Sequence, residues 1–157
     1  MEIAIINTPV GLLEIKGSID GLSSITYLNE EKPVSTKIPL VLQETVSQLN
    51  LYFKGELDTF TVILQPQGTD FQKTVWNKLL EIPFGKTANY LEIAKRLGDP
   101  KVIRAAASAN GKNPISIIIP CHRVIGSDGS LTGYAGGLHR KKWLLEHESP
   151  VKQGSLF

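Results

Sequence analysis

Three helix-start signals lie close together in the second half of the chain and constrain its fold most strongly. Thr69 with Gln72 and Asn89 with Glu92 have the spacing of capping boxes, in which two side chains satisfy backbone N–H groups at a helix start. Asp99-Pro100 places an N-cap residue before a proline at the first helical position. The signals predict helices that start at Thr69, that run from Asn89 to Leu97 and that run from Asp99 to Asn110-Gly111. The last two, joined at Gly98, are typical of a helix-turn-helix, although an ordinary helical hairpin has the same pattern.

The first half of the chain has a different pattern, of short β-rich runs separated by turn residues. These runs predict a meander of antiparallel strands, followed by an amphipathic helix and one more strand. We therefore expect a small α/β domain over residues 1–66, with a linker near Gln65–Gly68. The predicted strands are Ile3–Ile6, Leu12–Ile15, Leu22–Leu28 and Thr59–Leu64, and the predicted helix is Pro39–Lys54.

Charge is divided between the two halves. Residues 1–64 carry four lysines against eight acidic residues, a formal charge of −4, whereas residues 65–157 carry 13 basic and seven acidic residues, a charge of +6. A basic half indicates a polyanionic partner, and an accidental imbalance among solvated charges is the alternative. No apolar run approaches the roughly 18 residues of a membrane span. The single cysteine excludes an internal disulfide, and the N-terminus lacks the basic start of a secretory signal, so we expect a cytoplasmic protein, or a nuclear one in a eukaryote.

The single cysteine, Cys121, is the strongest candidate for chemistry. It follows Pro120 and a predicted buried strand, Ile115–Ile119, and it precedes His122. A free thiol has a pKa of roughly 8.5, so it needs a base or a positive environment to become a nucleophile. Consecutive strand residues point to opposite faces, so His122 would reach the sulfur only through a turn or a bridging water. Candidates to orient the histidine are Asp128, Glu146 and Glu148; a buried structural cysteine beside a surface histidine is the alternative.

The sequence around Cys121 resembles the O6-alkylguanine-DNA alkyltransferase family. The resemblance rests on Pro120-Cys121-His122-Arg123-Val124, with Asn113-Pro114 before it and Gly133-Tyr134-Ala135-Gly136-Gly137 after it, and it extends over 69–148. It implies an α+β protein with a ribonuclease-H-like N-terminal domain over 1–66. A mostly helical, winged-helix-like domain with a helix-turn-helix would follow over 67–150, and then a tail over 151–157.

The resemblance also implies roles for individual residues. Cys121 matches the alkyl acceptor, His122 the base that deprotonates it through a water, and Glu148 the carboxylate that holds the histidine. Asn113 matches an asparagine that braces the turn between the recognition helix and the active-site strand. The DNA-contacting set would be Tyr90, Arg104, Ala105 and Ala109, with Arg104 as the arginine that takes the place of the extruded base. The substrate-binding set would be Tyr90, Val124, Tyr134 and Ala135.

The implied reaction is a single irreversible transfer of an alkyl group to Cys121. The implied partner is duplex DNA that contains O6-alkylguanine, with O4-alkylthymine as a second candidate substrate. We expect a monomer with no cofactor and no membrane contact, and no metal, since the N-terminal half has neither Cys nor His. The alternatives are a non-reactive alkyltransferase-like damage sensor, a helix-turn-helix regulator and a Cys-His hydrolase. Only the transferase would gain one alkyl group per chain.

Overall fold

The computed structural model describes residues 1–150; the predicted tail, 151–157, lies outside the described residues. Its mixed α and β elements follow the order predicted from sequence in most places. No helix in this part of the chain is long and apolar enough to cross a membrane. In chain order the elements are β1 (Glu2–Thr8), β2 (Gly11–Ser18), β3 (Gly21–Leu28), α1 (Leu40–Phe53), α2 (Asp70–Leu79), β4 (Ala88–Asn89), α3 (Tyr90–Arg96), α4 (Ile103–Gly111), β5 (Val124–Ile125) and α5 (Leu138–Glu148).

Strands β1, β2 and β3 form the predicted antiparallel meander in sequence order. Alternating apolar residues of β1 and β2 face α1, so one side of the sheet and the apolar side of the helix form a shared core. The predicted strand Thr59–Leu64 is wrong. The Thr61 backbone N–H donates to the Gln48 side chain on α1, and only Leu64 forms a bridge, with Leu22. A side chain therefore takes the hydrogen bond that a ladder would have used.

Both predicted capping boxes are present. The Thr69 hydroxyl accepts from the Gln72 N–H while the Gln72 side chain accepts from the Thr69 N–H, and Asn89 and Glu92 do the same at α3. The Asp99 side chain also caps as expected, but residues 100–102 form a 3-10 turn before α4 begins at Ile103. The α3–turn–α4 pair therefore has the predicted order and lies against α2, where the Trp76 Nε1–H donates to the Ala109 carbonyl at 2.9 Å.

The predicted strand Ile115–Ile119 is wrong, although its side chains are buried as expected. Ile115 makes an isolated bridge to Ile25 of β3, and the chain then turns through residues 116–118. Ile117 has a φ of 75°, a left-handed conformation that is rare and strained for a β-branched residue. This turn redirects the backbone immediately before Pro120 and ends any extended run.

The chain divides into two compact units. One consists of Met1–Gln67 together with Pro114–Ser116, and the other consists of Gly68–Asn113 and the described residues from Ile117 onward. The three-residue piece 114–116 belongs to the first unit through Ile25, whose N–H donates to the Pro114 carbonyl and whose carbonyl accepts from the Ser116 N–H. Every side chain of the site described next belongs to the second unit.

Candidate active site

Cys121 lies in a tight turn and not at the end of a strand. Residues Cys121–Arg123 form one 3-10 turn, which the Arg123 N–H closes by donating to the Pro120 carbonyl at 2.9 Å. The thiol residue is 4% exposed and His122 is fully buried. A 3-10 turn separates consecutive side chains by about 120°, so the opposite-face geometry expected from a strand does not apply.

The sulfur of Cys121 has one hydrogen-bond donor from a neighbouring segment. The Asn113 amide Nδ2 lies 3.1 Å from Sγ and 2.8 Å from the Ile119 carbonyl oxygen, so one side chain braces both the turn and the thiol. Burial raises the pKa of the Cys121 thiol to about 11, although the Asn113 hydrogen bond and the Lys141 charge lower it in part. The thiol is therefore protonated at neutral pH and needs a proton acceptor before it can attack.

His122 and Glu148 form a short buried pair, with 2.7 Å between Nε2 and Oε2. Burial works against ionisation of Glu148, but the charges and hydrogen bonds of His122 and Arg123 outweigh it and hold the carboxyl pKa at about 2. An ionised carboxylate only accepts, so His122 Nε2 carries the proton and Nδ1 has the lone pair. Nδ1 is buried without a hydrogen-bond partner among the described residues. Burial also lowers the pKa of His122, which leaves a neutral imidazole able to accept a proton.

Arg123 completes this cluster, and the sequence reasoning missed it. Its guanidinium binds Glu148 through Nε at 2.7 Å and Nη2 at 3.2 Å, and Nη1 donates to the Ile82 carbonyl at 2.6 Å. The guanidinium carbon also lies 5.9 Å from the centre of the Phe84 ring. An arginine inside an otherwise buried stretch was the signal available in the sequence, because a buried charge has to be paired. Of the three carboxylates considered for the histidine, Glu148 is the one in contact with it.

Lys141 is a second residue that the sequence reasoning missed. It is fully buried on α5, and its Nζ donates to the Val124 carbonyl at 2.6 Å, to the Thr132 carbonyl at 3.2 Å and to the Thr132 hydroxyl at 3.4 Å. Burial lowers the pKa of Lys141 to about 8, with a partial opposing effect of Cys121. The signal was its place on the buried face of α5, three and four residues before Leu144 and Leu145 and seven before Glu148.

The predicted substrate-binding residues lie around the same segment. Val124 is buried in β5, which pairs in parallel with β4, and Tyr90 begins the helix that follows β4. The Tyr90 hydroxyl lies 3.4 Å from the Thr132 hydroxyl, so α3 contacts the loop between β5 and α5. In that loop Tyr134 is half-buried and Ala135 is exposed, and the Gly137 N–H donates to the Tyr134 carbonyl at 2.9 Å.

The predicted DNA-contacting residues of α4 divide into two groups. Arg104 and Ala105 are exposed, as a surface contact requires. Ala109 is 2% exposed and its carbonyl accepts from the Trp76 Nε1–H, so it packs α4 against α2, and its contact with DNA stays a prediction. Within residues 1–150, no group of three or more His, Cys, Asp or Glu side chains could hold a metal ion.

Comparison with known proteins gives one consistent family. Residues 70–150 match the model of the 6-O-methylguanine DNA methyltransferase, DNA binding domain. A methylated-DNA--protein-cysteine methyltransferase of Methanosarcina acetivorans is 47% identical over 153 residues, which cover 94% of this chain and 98% of that relative. One from Mycobacterium tuberculosis is 48% identical over 147 residues, which cover 91% of this chain and 89% of that relative.

The solved structures agree with the sequence relatives. The crystal structure of Mycobacterium tuberculosis OGT in complex with DNA aligns with a TM-score of 0.86 at 47% identity, over 94% of this chain and 92% of that chain. Identity at this level over nearly the whole length, together with the matched DNA-binding domain, identifies the family. The chain belongs to the 6-O-methylguanine DNA methyltransferase family.

Proposed function

We propose that this protein repairs duplex DNA by transferring the alkyl group of O6-alkylguanine to Cys121, once per molecule. The observation that carries the proposal is the buried thiol itself, hydrogen-bonded by Asn113 and adjacent to a neutral histidine whose other nitrogen is bound to an ionised carboxylate. The relatives at 47–48% identity are named methylated-DNA--protein-cysteine methyltransferases, and one similar structure is a complex with DNA.

In the proposed reaction His122 Nδ1 receives the thiol proton through a bridging water, and Glu148 stabilises the imidazolium that forms. The thiolate attacks the alkyl carbon, so a carbon–sulfur bond forms as the carbon–O6 bond breaks. The electron pair of the broken bond passes to the purine, which takes up a proton and becomes guanine. The product is a thioether, and no described side chain around Cys121 offers chemistry to reverse it, which makes the protein a stoichiometric reagent.

Arg123 and Asn113 act in this scheme as positioning residues. The Arg123 guanidinium donates to both oxygens of Glu148 and shares Oε2 with His122, and its positive charge keeps the carboxylate ionised at every pH near neutrality. Asn113 holds the thiol against the turn that precedes it, so the sulfur has one orientation toward an incoming base. Positioning two reacting groups about 3–3.5 Å apart can lower the activation barrier by roughly 7–11 kcal/mol, so a fixed orientation of the sulfur can compensate for the low reactivity of a protonated thiol.

The DNA side of the proposal rests on α4. A base inside a duplex has its O6 atom buried in the stack, so the enzyme has to extrude it and fill the space. Exposed Arg104, beside the small side chain of Ala105, fits a helix that approaches a narrow groove closely and inserts one planar group. Tyr90, Val124, Tyr134 and Ala135 would then surround the extruded base, with O4-alkylthymine as a second candidate.

The finer architecture belongs to the same proposal. The three-stranded meander with its one helix supports a ribonuclease-H-like N-terminal domain, and α3, α4 and the short β4–β5 pair support a winged-helix-like second domain. A reactive single thiol suits a reducing compartment, which supports a cytoplasmic protein, or a nuclear one in a eukaryote. We expect it to act as a monomer, because the acceptor and its base lie on one chain.

Intact-mass measurement after incubation with a duplex that contains O6-methylguanine tests the proposal. We expect one added methyl group per chain, located on the peptide that contains Cys121. Cys121→Ala should gain none and should still bind the duplex, because the thiol is a reactant and not a DNA contact. A protein that binds the damaged duplex and stays unmodified would instead be a damage sensor.

A further inference from the structure

The turn that follows α2, residues 82–86, binds the Arg123 guanidinium through groups other than Glu148. The Ile82 carbonyl accepts from Nη1 at 2.6 Å, and the centre of the Phe84 ring lies 5.9 Å from the guanidinium carbon. The other two nitrogens, Nε and Nη2, donate to Glu148. A guanidinium is planar and rigid, so an acceptor that holds one nitrogen also sets the direction of the others. The position of the Ile82 carbonyl therefore sets where the guanidinium meets the carboxylate.

Local structure fixes the Ile82 carbonyl. Ile82 is 2% exposed and its N–H donates to the Leu79 carbonyl at 3.0 Å, so this residue stays attached to the end of α2. Pro83 disfavours helical backbone in the residue before it, so the helix does not continue. The Lys86 N–H donates to the Pro83 carbonyl at 3.1 Å and closes a β-turn, in which Gly85 has the positive φ, 81°, that the third position of a type II turn requires. The carbonyl therefore lies between two hydrogen-bonded turns.

The same turn contacts the end of α5 through Gly85. A Cβ atom added to Gly85 would lie 3.2 Å from the Glu148 carbonyl oxygen and 3.7 Å from Pro150 Cδ. The shorter of these distances is closer than an ordinary van der Waals contact, so a larger residue would force the turn and the helix end apart. Glu148 is the last residue of α5, and its side chain reaches His122 at 2.7 Å. The turn therefore limits where the backbone of that carboxylate can lie.

We propose that the 82–86 turn is a positioning element for the proposed proton acceptor, because it holds Arg123 by its guanidinium and Glu148 by its backbone. The inference rests on the proposed alkyl transfer. With both residues held, the carboxylate meets His122 Nε2 at hydrogen-bond distance, and the imidazole has one orientation in which to take the thiol proton. The turn acts through Glu148 and His122 and has no part of its own in the proton transfer.

The test measures single-turnover methyl transfer from a duplex that contains O6-methylguanine, at several duplex concentrations and at pH 7 and pH 9. Gly85→Ala introduces the close contact with the Glu148 carbonyl and strains the backbone. The matched control is Gly55→Ala, since Gly55 has a φ of 76° but an added Cβ would meet nothing within 4 Å. Misplacement by about 1 Å can cost roughly a hundredfold in rate, so we expect the smaller displacement in Gly85→Ala to lower the limiting rate about tenfold at pH 7. The half-saturating duplex concentration should not change, and Gly55→Ala should match the wild type in both quantities.

The defect in Gly85→Ala should shrink as the pH rises. The charged groups that face His122 are Glu148, Arg123 and Lys141. All of them are present in the variant, so the ratio of variant to wild-type rate at each pH isolates the effect of positioning. A thiol that ionises without help depends less on its base, so we expect a limiting rate within about twofold of the wild type at pH 9.

A second variant, Phe84→Leu, tests the guanidinium side of the turn and leaves its glycine in place. We expect a limiting rate about twofold to fivefold lower at pH 7, the size of one cation–π contact, and no defect at pH 9. The matched control is Phe60→Leu, because Phe60 is also partly buried but contacts Tyr52, with 5.4 Å between ring centres. Its limiting rate should equal that of the wild type at both pH values.

Three results would each overturn the inference. They are a defect in Gly85→Ala of equal size at pH 7 and pH 9, a change confined to the half-saturating concentration, and a wild-type rate for Phe84→Leu at pH 7. If Gly85→Ala does not fold, as circular dichroism would show, Phe84→Leu decides alone. Failure of the wild-type protein to become methylated by the duplex would instead refute the proposed function.

Discussion

Replacement of His122, the proposed base, should produce a defect in alkyl transfer whose size depends on pH. With the pKa of Cys121 at about 11, roughly one thiol in ten thousand is ionised unaided at pH 7 and about one in a hundred at pH 9. His122→Gln keeps a donor for Glu148 but removes the proton acceptor. A general base typically contributes 10²–10⁴-fold, so we expect a defect of that size at pH 7 that shrinks about a hundredfold by pH 9.

The rate of alkyl transfer by the wild-type protein should change little between pH 7 and pH 9. Burial lowers the pKa of His122 from 6.5, so the imidazole is already neutral at pH 7 and more alkaline solution adds nothing to its basicity. The rate should decline only below the ordinary histidine range, as the base becomes protonated. The two profiles should therefore converge as the pH rises.

The assay measures single-turnover transfer from free O6-benzylguanine, with the mass of the protein as the readout. Because the substrate is a free base, DNA binding does not affect the comparison. The control is His147→Gln, since His147 lies on the same helix as Glu148 but stacks on Trp143 at 4.8 Å. Its profile should match that of the wild type. Parallel profiles for wild type and His122→Gln would refute the reasoning, because they would mean that His122 supports the structure and takes no part in ionising the thiol.

Three further predictions concern stability and DNA. Folding lowers the pKa of Glu148 from 4.5 to about 2. As the pH falls, the carboxylate is therefore protonated in the unfolded chain before it is protonated in the folded protein, and about 3 kcal/mol of unfolding free energy should be lost between pH 4.5 and pH 2. Denaturant titrations at several pH values should show that the unfolding free energy of Glu148→Gln depends less on pH than that of the wild type, whereas that of the matched Glu146→Gln depends on pH as in the wild type. The same pH dependence in all three proteins would contradict this. Arg104→Ala should slow transfer from duplex DNA far more than from the free base, with partial rescue by a mismatched duplex and by Arg104→Lys, and equal slowing on every substrate would exclude a role in base extrusion. Duplex binding should weaken steeply with added salt, as titrations at several salt concentrations would show, because the basic half displaces counterions; salt-independent binding would exclude that electrostatic contact.

Local signals in the sequence were sufficient for most of the fold. The two capping boxes and the Asp99 cap are interactions between residues two or three positions apart, so they are visible in the sequence and hold in the structure. The meander was predictable for the same reason, since its turns are short. The two strands predicted at 59–64 and 115–119 do not form, and the contacts that replace them involve residues distant in sequence. The Thr61 N–H donates to the Gln48 side chain, and Ile115 forms only an isolated bridge with Ile25.

The residues of the candidate site could be proposed from the sequence, but the way in which they contact one another could not. The family motif implied Cys121, His122, Asn113 and Glu148, and the structure pairs Asn113 with Cys121 and His122 with Glu148. A buried arginine can be expected to have a charged partner, but that Arg123 pairs with Glu148, 25 residues away, depends on the path of the whole loop and α5 and could not be predicted. The small side chain of Ala109 is compatible with close approach to DNA and also with close packing of helices, and the structure shows the packing.

The raised pKa of Cys121 fits a protein that uses a single thiol once. An exposed thiolate reacts with oxidants and other electrophiles, and each such event would remove one molecule from repair. Protonation between encounters prevents this, but ionising a thiol of pKa about 11 at pH 7 costs about 5 kcal/mol. Correct positioning of two reacting groups can contribute roughly 7–11 kcal/mol, which exceeds that cost. A thiol that stays protonated between encounters can therefore still react with a positioned substrate. This requires that Asn113, Glu148 and Lys141 hold the site rigid, so that the gain from positioning exceeds the cost of ionising the thiol.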